Sequence, residues 1–291
     1  MNMISAGKKY FPVLVIVFSI TAFNPYSFSQ SGLKEDLEAQ YKLANELYKN
    51  EEYFDAITEF KRLLFFDKDK EYTYSADELI GKSYKMGAKF SEAIRYFFLA
   101  GLHASNNEQL YNSKIEIIKI NILRRTIGRA LILLDSLEKD KRFFNKKEEI
   151  IYWKGWAFIF DDKWDSAAAE FNKIDSGREL KRISEEIESE KYSVTKAKIL
   201  SFIIPGAGQF YTGNFISGIL SLGWNLLWGY ITVNAFADNR AFDGLAVGEL
   251  LWLRFYRGNV QNAEKFAEEK NREISNKTLK YLQFNYKGEK P

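Results

Sequence analysis

Residues able to do chemistry are few in this 291-residue chain, and none of them converge on a reaction. His103 is the sole histidine, so a two-histidine metal site is excluded and any histidine-based triad would rest on one residue. Its setting, Gly101-Leu102-His103-Ala104-Ser105, reads as a helix end, where a histidine caps carbonyls. Cysteine is absent, which removes disulfides, thiolate metal sites, cysteine nucleophiles and an acylated lipoprotein cysteine together. Asp161, Asp162 and Asp165 cluster in an expected inter-helix turn, a place for solvated charges. Asp67-Lys68-Asp69-Lys70-Glu71 has the oxygens of a calcium loop without its central glycine and terminal bidentate glutamate. The glycine-rich string Pro205-Gly206-Ala207-Gly208 could cradle a phosphate, yet no phosphate-binding glycine motif follows a strand, and no lysine or acidic partner adjoins it. No catalytic, cofactor-binding or metal-binding residue is therefore assigned, and the expectation is a protein without enzymatic chemistry.

The elements that would position contact residues repeat. Ala56, Ala93, Ala130 and Ala167 stand 37 residues apart. Three positions before each lie Tyr53, Phe90, Ile127 and Trp164, and four positions after lie Phe60, Phe97, Leu134 and Phe171. Twelve positions before lie Ala44, Gly81, Ile118 and Gly155. Such a pattern predicts helix-turn-helix units that close on a small side chain while an aromatic fills the adjoining groove. The stretches LANELYKNEEYFDAITEF (43–60), IGKSYKMGAKFSEAIRYF (80–97) and YWKGWAFIFDDKWDSAAAEF (152–171) resemble the tetratricopeptide family. The third copy, around Ala130, is degenerate, with Ile118 where a small residue belongs. The chain departs from the family's period of about 34 residues and lacks its proline after the second helix. The resemblance implies stacked helix pairs with a concave protein-binding surface, and it implies no reaction. On that surface the first helices would offer Tyr41, Asn45, Tyr48, Lys82, Lys85 and Lys154 to a protein partner.

Past Lys191 the composition changes. Residues 199–237 contain no charge, and 215–237 alone is long enough to cross a bilayer as a helix. A second apolar segment, 242–256, is shorter and carries Glu249 and Arg254. Ionisable groups are costly there unless paired or wet, so we read it as partly immersed, with Arg254 and Arg257 at headgroup level; the alternative is a polar contact or conduit. Asp238, Asn239, Arg240 and Asp243 form an expected wet turn, which makes the pair a helical hairpin. Gly213, Ser217, Ser221, Asn225 and Gly229, with Gly244 and Gly248, would let the two helices approach closely. Trp224, Trp228, Tyr230 and Trp252 would serve either as interface aromatics or as internal contacts. The string PGAGQFYTG (205–213) resembles a P-G-x-G-Q-x-Y-x-G signature that precedes a hydrophobic hairpin in small bacterial membrane domains. That resemblance implies membrane association through Pro205, Gly206, Gly208, Gln209, Tyr211 and Gly213. Beyond it, 258–291 reads as a charged amphipathic helix and tail with Val260, Ala263, Ala267 and Ile274 on one side.

At the N-terminus, Lys8 and Lys9, an apolar run over 10–23 and Ser27-Phe28-Ser29 follow the order of a secretory signal, with cleavage expected after Ser29. A net charge of +3 gives no argument for nucleic acid. Its distribution is uneven: 30–190 carries 27 basic and 31 acidic residues, and 191–291 carries 13 and 8. A basic segment beside an apolar tract suits an anionic membrane surface. The basic residues flanking the hairpin, Lys196, Lys198, Arg254 and Arg257, would by themselves put both of its ends in the cytoplasm. The export signal puts the repeats outside, and we give the signal precedence.

The expected fold is all-α: an export signal over 1–29, tetratricopeptide-like helical repeats forming a solenoid over 30–190, a membrane-associated hydrophobic hairpin over 191–257 and the charged helix over 258–291. The expected role is a membrane-associated adaptor at the periplasmic face of a bacterial membrane that binds a protein partner without catalysis or cofactor. The alternative is a membrane-embedded component of an envelope transport or assembly complex in which the hairpin is the working part.

Overall fold

The structure, a computed structural model, describes residues 25–291. Residues 1–24, most of the expected export signal, lie outside the described residues. Those described are helical throughout, with no strand among them. Four helix pairs come first: α1 (Pro25–Lys49) with α2 (Tyr53–Phe66), α3 (Thr73–Met86) with α4 (Phe90–Leu102), α5 (Asn107–Leu123) with α6 (Ile127–Lys139), and α7 (Lys147–Phe160) with α8 (Trp164–Phe171). Each helix lies against its neighbours in sequence.

The 37-residue spacing reappears in the backbone. Glu51, Ala88, Arg125 and Asp162, one in the turn of each pair, are left-handed, with φ of 65°, 54°, 55° and 61°. The next residue in each case, Glu52, Lys89, Thr126 or Lys163, donates its N–H to the carbonyl five positions back, at 2.8–3.0 Å. This is the helix-ending bond that satisfies an otherwise orphaned carbonyl. Between pairs, Asp67 does the corresponding work at the start of α3: its carboxylate accepts from the N–H groups of Glu71 and Tyr72 and from the Thr73 hydroxyl, at 2.8–3.1 Å.

Inside each pair, a small residue meets the aromatic that the sequence places opposite it. A Cβ added at Gly81 would sit 3.1 Å from the Phe97 ring, and one added at Gly155 only 2.4 Å from Phe171. Phe60, Phe97, Leu134 and Phe171 are all fully buried, each contributing about 1.5–3 kcal/mol of hydrophobic stabilisation. In the degenerate third copy, Ile118 is itself buried beside Leu134, so bulk replaces close approach there.

After α9 (Arg178–Glu190), the chain enters α10 (Val194–Ile203), the short α11 (Ala207–Tyr211) and α12 (Phe215–Ala237). It then reverses at Asn239, another left-handed residue, into α13 (Ala241–Val247). A π-turn over Gly248–Trp252 joins α13 to α14 (Leu253–Asn285). At 1.5 Å per residue α14 is about 50 Å long. It runs past α10, where Ala263 and Ala267 bury against Ala197, back to the fourth helix pair, whose core includes Leu282 and Tyr286. The segment 258–291 is therefore built into the repeat core as well as into the base of the hairpin.

Candidate functional site

Two regions stand out: a buried polar lock beneath an apolar belt, and an ion-paired face on the first helices of the pairs. The lock is made by the 205–213 string. Pro205 ends α10, since it cannot supply the N–H that continues a helix. Gly206 follows at φ +92°, where a Cβ would collide with the Gly218 carbonyl oxygen at 2.3 Å. A Cβ at Gly208 would sit 2.2 Å from the Ala197 carbonyl oxygen and 2.7 Å from Ala263. Backbone contact among α10, α11, α12 and α14 thus requires hydrogen at both positions.

Gln209 is fully buried at the centre. Its amide nitrogen donates to Asn259 through the backbone carbonyl (2.9 Å) and Oδ1 (3.0 Å) and, more weakly, to Ser221 Oγ (3.3 Å). Its Oε1 accepts from Ser201 at 2.8 Å. Asn259 Oδ1 also accepts the Gly206 N–H (2.8 Å), while its amide nitrogen donates to the Ser201 carbonyl (2.8 Å). Ser201 Oγ accepts the Gly208 N–H at 2.9 Å. Tyr211 holds the outer edge: its hydroxyl accepts the Ser193 N–H (3.1 Å), its ring meets Tyr192 edge-on, and the Lys196 ammonium lies 4.9 Å from its centroid. Gly213, at φ +76°, turns the chain into α12. The Gly206 and Gly208 amides, which a phosphate would need, are thus both engaged internally.

Above the lock stands α12, the one described helix long and apolar enough to cross a membrane. One stripe is buried, through Gly218, Asn225, Gly229, Thr232 and Ala235. Of the anticipated small residues, three lie at the contact with the returning arm: Gly229 faces Trp252, Gly248 faces Thr232 and Gly244 faces Phe236; Gly213 faces no neighbour and Ser221 bonds Gln209 instead. Trp224 and Trp228 stack on Phe255, with centroids 5.6 and 6.4 Å away, so these aromatics make internal contacts while Tyr230 stays exposed. The remaining circumference is apolar and uncovered: Ile216 is 78% exposed, Leu226 64% and Val233 60%, and Phe202 and Ile203 at the end of α10, Ile204 just after it, and Phe242 and Leu250 of the returning arm extend the same belt. Glu249 is exposed within the belt, and Arg254 and Arg257 are exposed near its base. Asn225 Oδ1 and Trp228 Nε1 are buried without a hydrogen-bond partner.

The second region lies on α1, α3, α5 and α7. Of the six residues expected there, Tyr41 is drawn inward against Phe60 and Tyr72, with centroids 6.1 and 5.1 Å away. Tyr48 packs on Tyr53, and Asn45 is half-buried. Lys82 pairs with Glu78 at 2.8 Å along its own helix. Lys85 bridges to Glu116 of α5 at 3.0 Å. Lys154 departs from the group, pairing instead with Asp135 (2.6 Å) and Glu138 (2.7 Å) of α6.

Glu116 is shared with Lys119 at 2.9 Å. Burial disfavours the Glu116 carboxylate, but the Lys85 and Lys119 ammoniums outweigh it and hold this acid below the ordinary glutamate range. Burial likewise opposes the charged form of Lys119, while Glu116 and Glu289 raise it above the ordinary lysine range. Lys119, 9% exposed at its side chain, lies 4.5 Å from the Trp153 ring centroid and also meets Glu289 of the C-terminal tail. The sequence marks the tail only as charged and does not mark Lys119; a lysine among the isoleucines 115, 117, 118, 120 and 122 is the signal that would have found it.

The two regions are joined at Asp162, and here the expectation of a merely solvated turn is corrected. Its Oδ1 accepts from Ser275 of α14 (2.5 Å), Trp164 Nε1 (2.8 Å) and Lys191 (3.0 Å). Burial raises the carboxyl's pKa, but these donors together bring it below the ordinary aspartate value. His103 also departs from expectation: its backbone N–H caps Leu99 and Ala100, but its ring Nδ1 lies 2.9 Å from Asp77 Oδ2 on α3. Burial raises the Asp77 pKa, with His103 acting in the opposite sense. Asp161 and Asp165 do not converge with Asp162 into a metal site among the described residues.

Comparison of the chain with protein-family models, curated protein sequences and solved structures gives no match.

Proposed function

We propose that this chain is an exported, membrane-associated helical-repeat adaptor: tetratricopeptide-like pairs form a solenoid that binds a protein partner, and α12 with its returning arm inserts in lipid. The observation that carries the reading is the belt. A 23-residue helix without charge that leaves most of its apolar circumference uncovered has the pattern of a lipid-facing element, because contiguous exposed apolar surface is disfavoured in water. The hairpin leaves and returns beside α10, so the repeats lie on the side of its base. Lys196, Arg254 and Arg257, all exposed, would meet anionic headgroups, while Lys198 is paired with Glu264. The N-terminal residue order supports export and hence the periplasmic face. The lock fits a scaffold that fixes the hairpin to the repeats, with the partner held by the first helices.

The test is photo-crosslinking of the full chain in cell membranes, with the crosslinker at Lys85 on the inner face and at Phe65 on the outer face. Capture of a discrete partner from Lys85 alone, retained when α12 and its returning arm are exchanged for an unrelated membrane anchor, is the expected result. Equal capture from both sites, or none, contradicts the adaptor reading. The second reading, in which the hairpin itself works inside an envelope transport or assembly complex, draws on the unpaired Asn225 Oδ1 and the exposed Glu249. It predicts that the exchange abolishes function.

A further inference from the structure

From the way the last residues return across α5 and α7, we infer that the face formed by these first helices is a receptor for a short, bent segment carrying an aromatic residue followed three positions later by an acid, and that this chain's own tail is its resident occupant. The inference rests on the adaptor reading and specifies its partner's chemistry.

Helix α14 is already secured by Leu282 in the core and by Ser275 on Asp162. After Asn285 the helix ends, with Tyr286 at φ −69° and ψ 126°; the tail bends at Gly288, which packs against the Tyr286 ring, and Lys290 bonds back to the Gln283 and Tyr286 carbonyls at 2.9 Å, so the tail makes contacts of a different kind. The Tyr286 ring lies 5.9 Å from Trp156, and its hydroxyl is 3.1 Å from that of Tyr152. The Tyr152 hydroxyl donates to the Glu289 backbone carbonyl at 2.5 Å. The Glu289 carboxylate meets Lys119 while its own side chain remains 59% exposed. The receptor therefore supplies an aromatic seat, a hydroxyl for one main-chain carbonyl and an ammonium for one carboxylate.

Charge makes the occupant specific. On the face itself, Lys85 and Lys119 share the carboxylate of Glu116, and the half-buried Glu149 of α7 acts on Lys119 from further away. Glu289 is the second carboxylate in direct contact with Lys119, and taking a contacting carboxylate from a largely buried lysine is costly. Lys290 and Pro291 form one wall of a cavity of 650 Å³ whose other walls include Trp156, Phe160 and Leu279. A partner of this chemistry competes with the tail, and its apparent affinity is the intrinsic one multiplied by the fraction of chains in which the tail is undocked.

The test uses a fluorescent peptide of residues 283–291, titrated by anisotropy into the full-length chain, into its Glu289→Lys variant and into a Tyr286→Ala, Glu289→Lys variant. Both variants are expected to bind the peptide at least about ten-fold more tightly than the intact chain. Adding Lys119→Met to either is expected to abolish binding, as is Glu289→Lys within the peptide. Glu289→Lys alone changes a largely exposed side chain and keeps the test valid if the Tyr286 substitution disturbs folding. Equal binding by intact and variant chains, no binding by any, or binding that survives Lys119→Met would overturn the inference. A dimer of the intact chain that dissociates on Glu289→Lys would put a second copy's tail on the face and overturn occupancy within one chain. Failure here with partner capture from Lys85 intact refutes the tail inference and leaves the adaptor reading standing.

Discussion

The Asp162 carboxylate, on the turn between α7 and α8, accepts the Ser275 hydroxyl of α14 at 2.5 Å across 113 residues of sequence. That contact fixes the returning arm of the hairpin to the fourth helix pair. With Trp164 and Lys191 on the same oxygen, one carboxylate determines how the lower half of α14 meets the repeats.

Asp162→Ala leaves the Trp164 indole N–H, the Ser275 hydroxyl and the Lys191 ammonium without their common acceptor. The expected loss is about 2–3 kcal/mol, given the cost of orphaning buried donors. Denaturant unfolding of the detergent-solubilised chain measures it, and hydrogen exchange is expected to rise in α14 around Ser275 first.

The pH dependence of this contact follows from the sign of the shift. Asp162 has a folded pKa below its unfolded value of about 3.9, so its contribution is present above that value and is lost as pH falls through the lower, folded one. The stability difference between the natural chain and Asp162→Asn is expected to be constant above about pH 5 and to shrink below about pH 4. A difference that grows on acidification would contradict the assignment.

In the lock, Asn259→Ala removes the acceptor of the Gly206 N–H and two acceptor or donor roles toward Gln209 and Ser201. Each buried group left unpaired costs about 1–3 kcal/mol. Gly208→Ala acts on the same junction by overlap with the Ala197 carbonyl, with an expected cost of at least about 1–3 kcal/mol. Thermal unfolding monitored by Trp224 and Trp228 fluorescence is expected to shift, while the repeat pairs keep their far-ultraviolet helix signal.

What was legible in the sequence was local and periodic. Gly81 against Phe97 and Gly155 against Phe171 lie sixteen residues apart in each copy, so one recurring spacing exposes them. The hairpin and its turn at Asn239 follow from the distribution of charge. Pairings across long separations leave no such trace: Asp162 and Gln209 stand out in a cluster and a motif, but nothing in the sequence points to Ser275 or Asn259 as their partners, or joins Lys119 to Glu289. The i, i+4 spacing of Asn259 with Ala263 and Ala267 is the sequence signal that marks it, a polar residue on a buried stripe. The Asp77 partner of His103 lies on the other helix of the same pair, 26 residues back, where only the closing of α3 on α4 brings it near.

The repeated left-handed turn gives a test of the 37-residue period in the backbone. Ala88 bears a Cβ at φ 54°, a conformation costing about 1–2 kcal/mol for a residue with a side chain. Ala88→Gly removes that cost and adds roughly 0.5–1 kcal/mol of unfolded-chain entropy, so a modest rise in unfolding temperature is expected. A fall would mean that the turn is not strained as described.

The central claim, that the belt around α12 faces lipid, is tested most directly by thiol accessibility, because the chain has no cysteine of its own. Leu226→Cys on the belt and Glu92→Cys on the repeats are treated with a membrane-impermeant maleimide in membranes opened to both faces, and again after denaturation in dodecyl sulfate. The account predicts that the thiol at 226 stays unlabelled until denaturation while the thiol at 92 reacts at once. Equal labelling rates at the two positions before denaturation would contradict it.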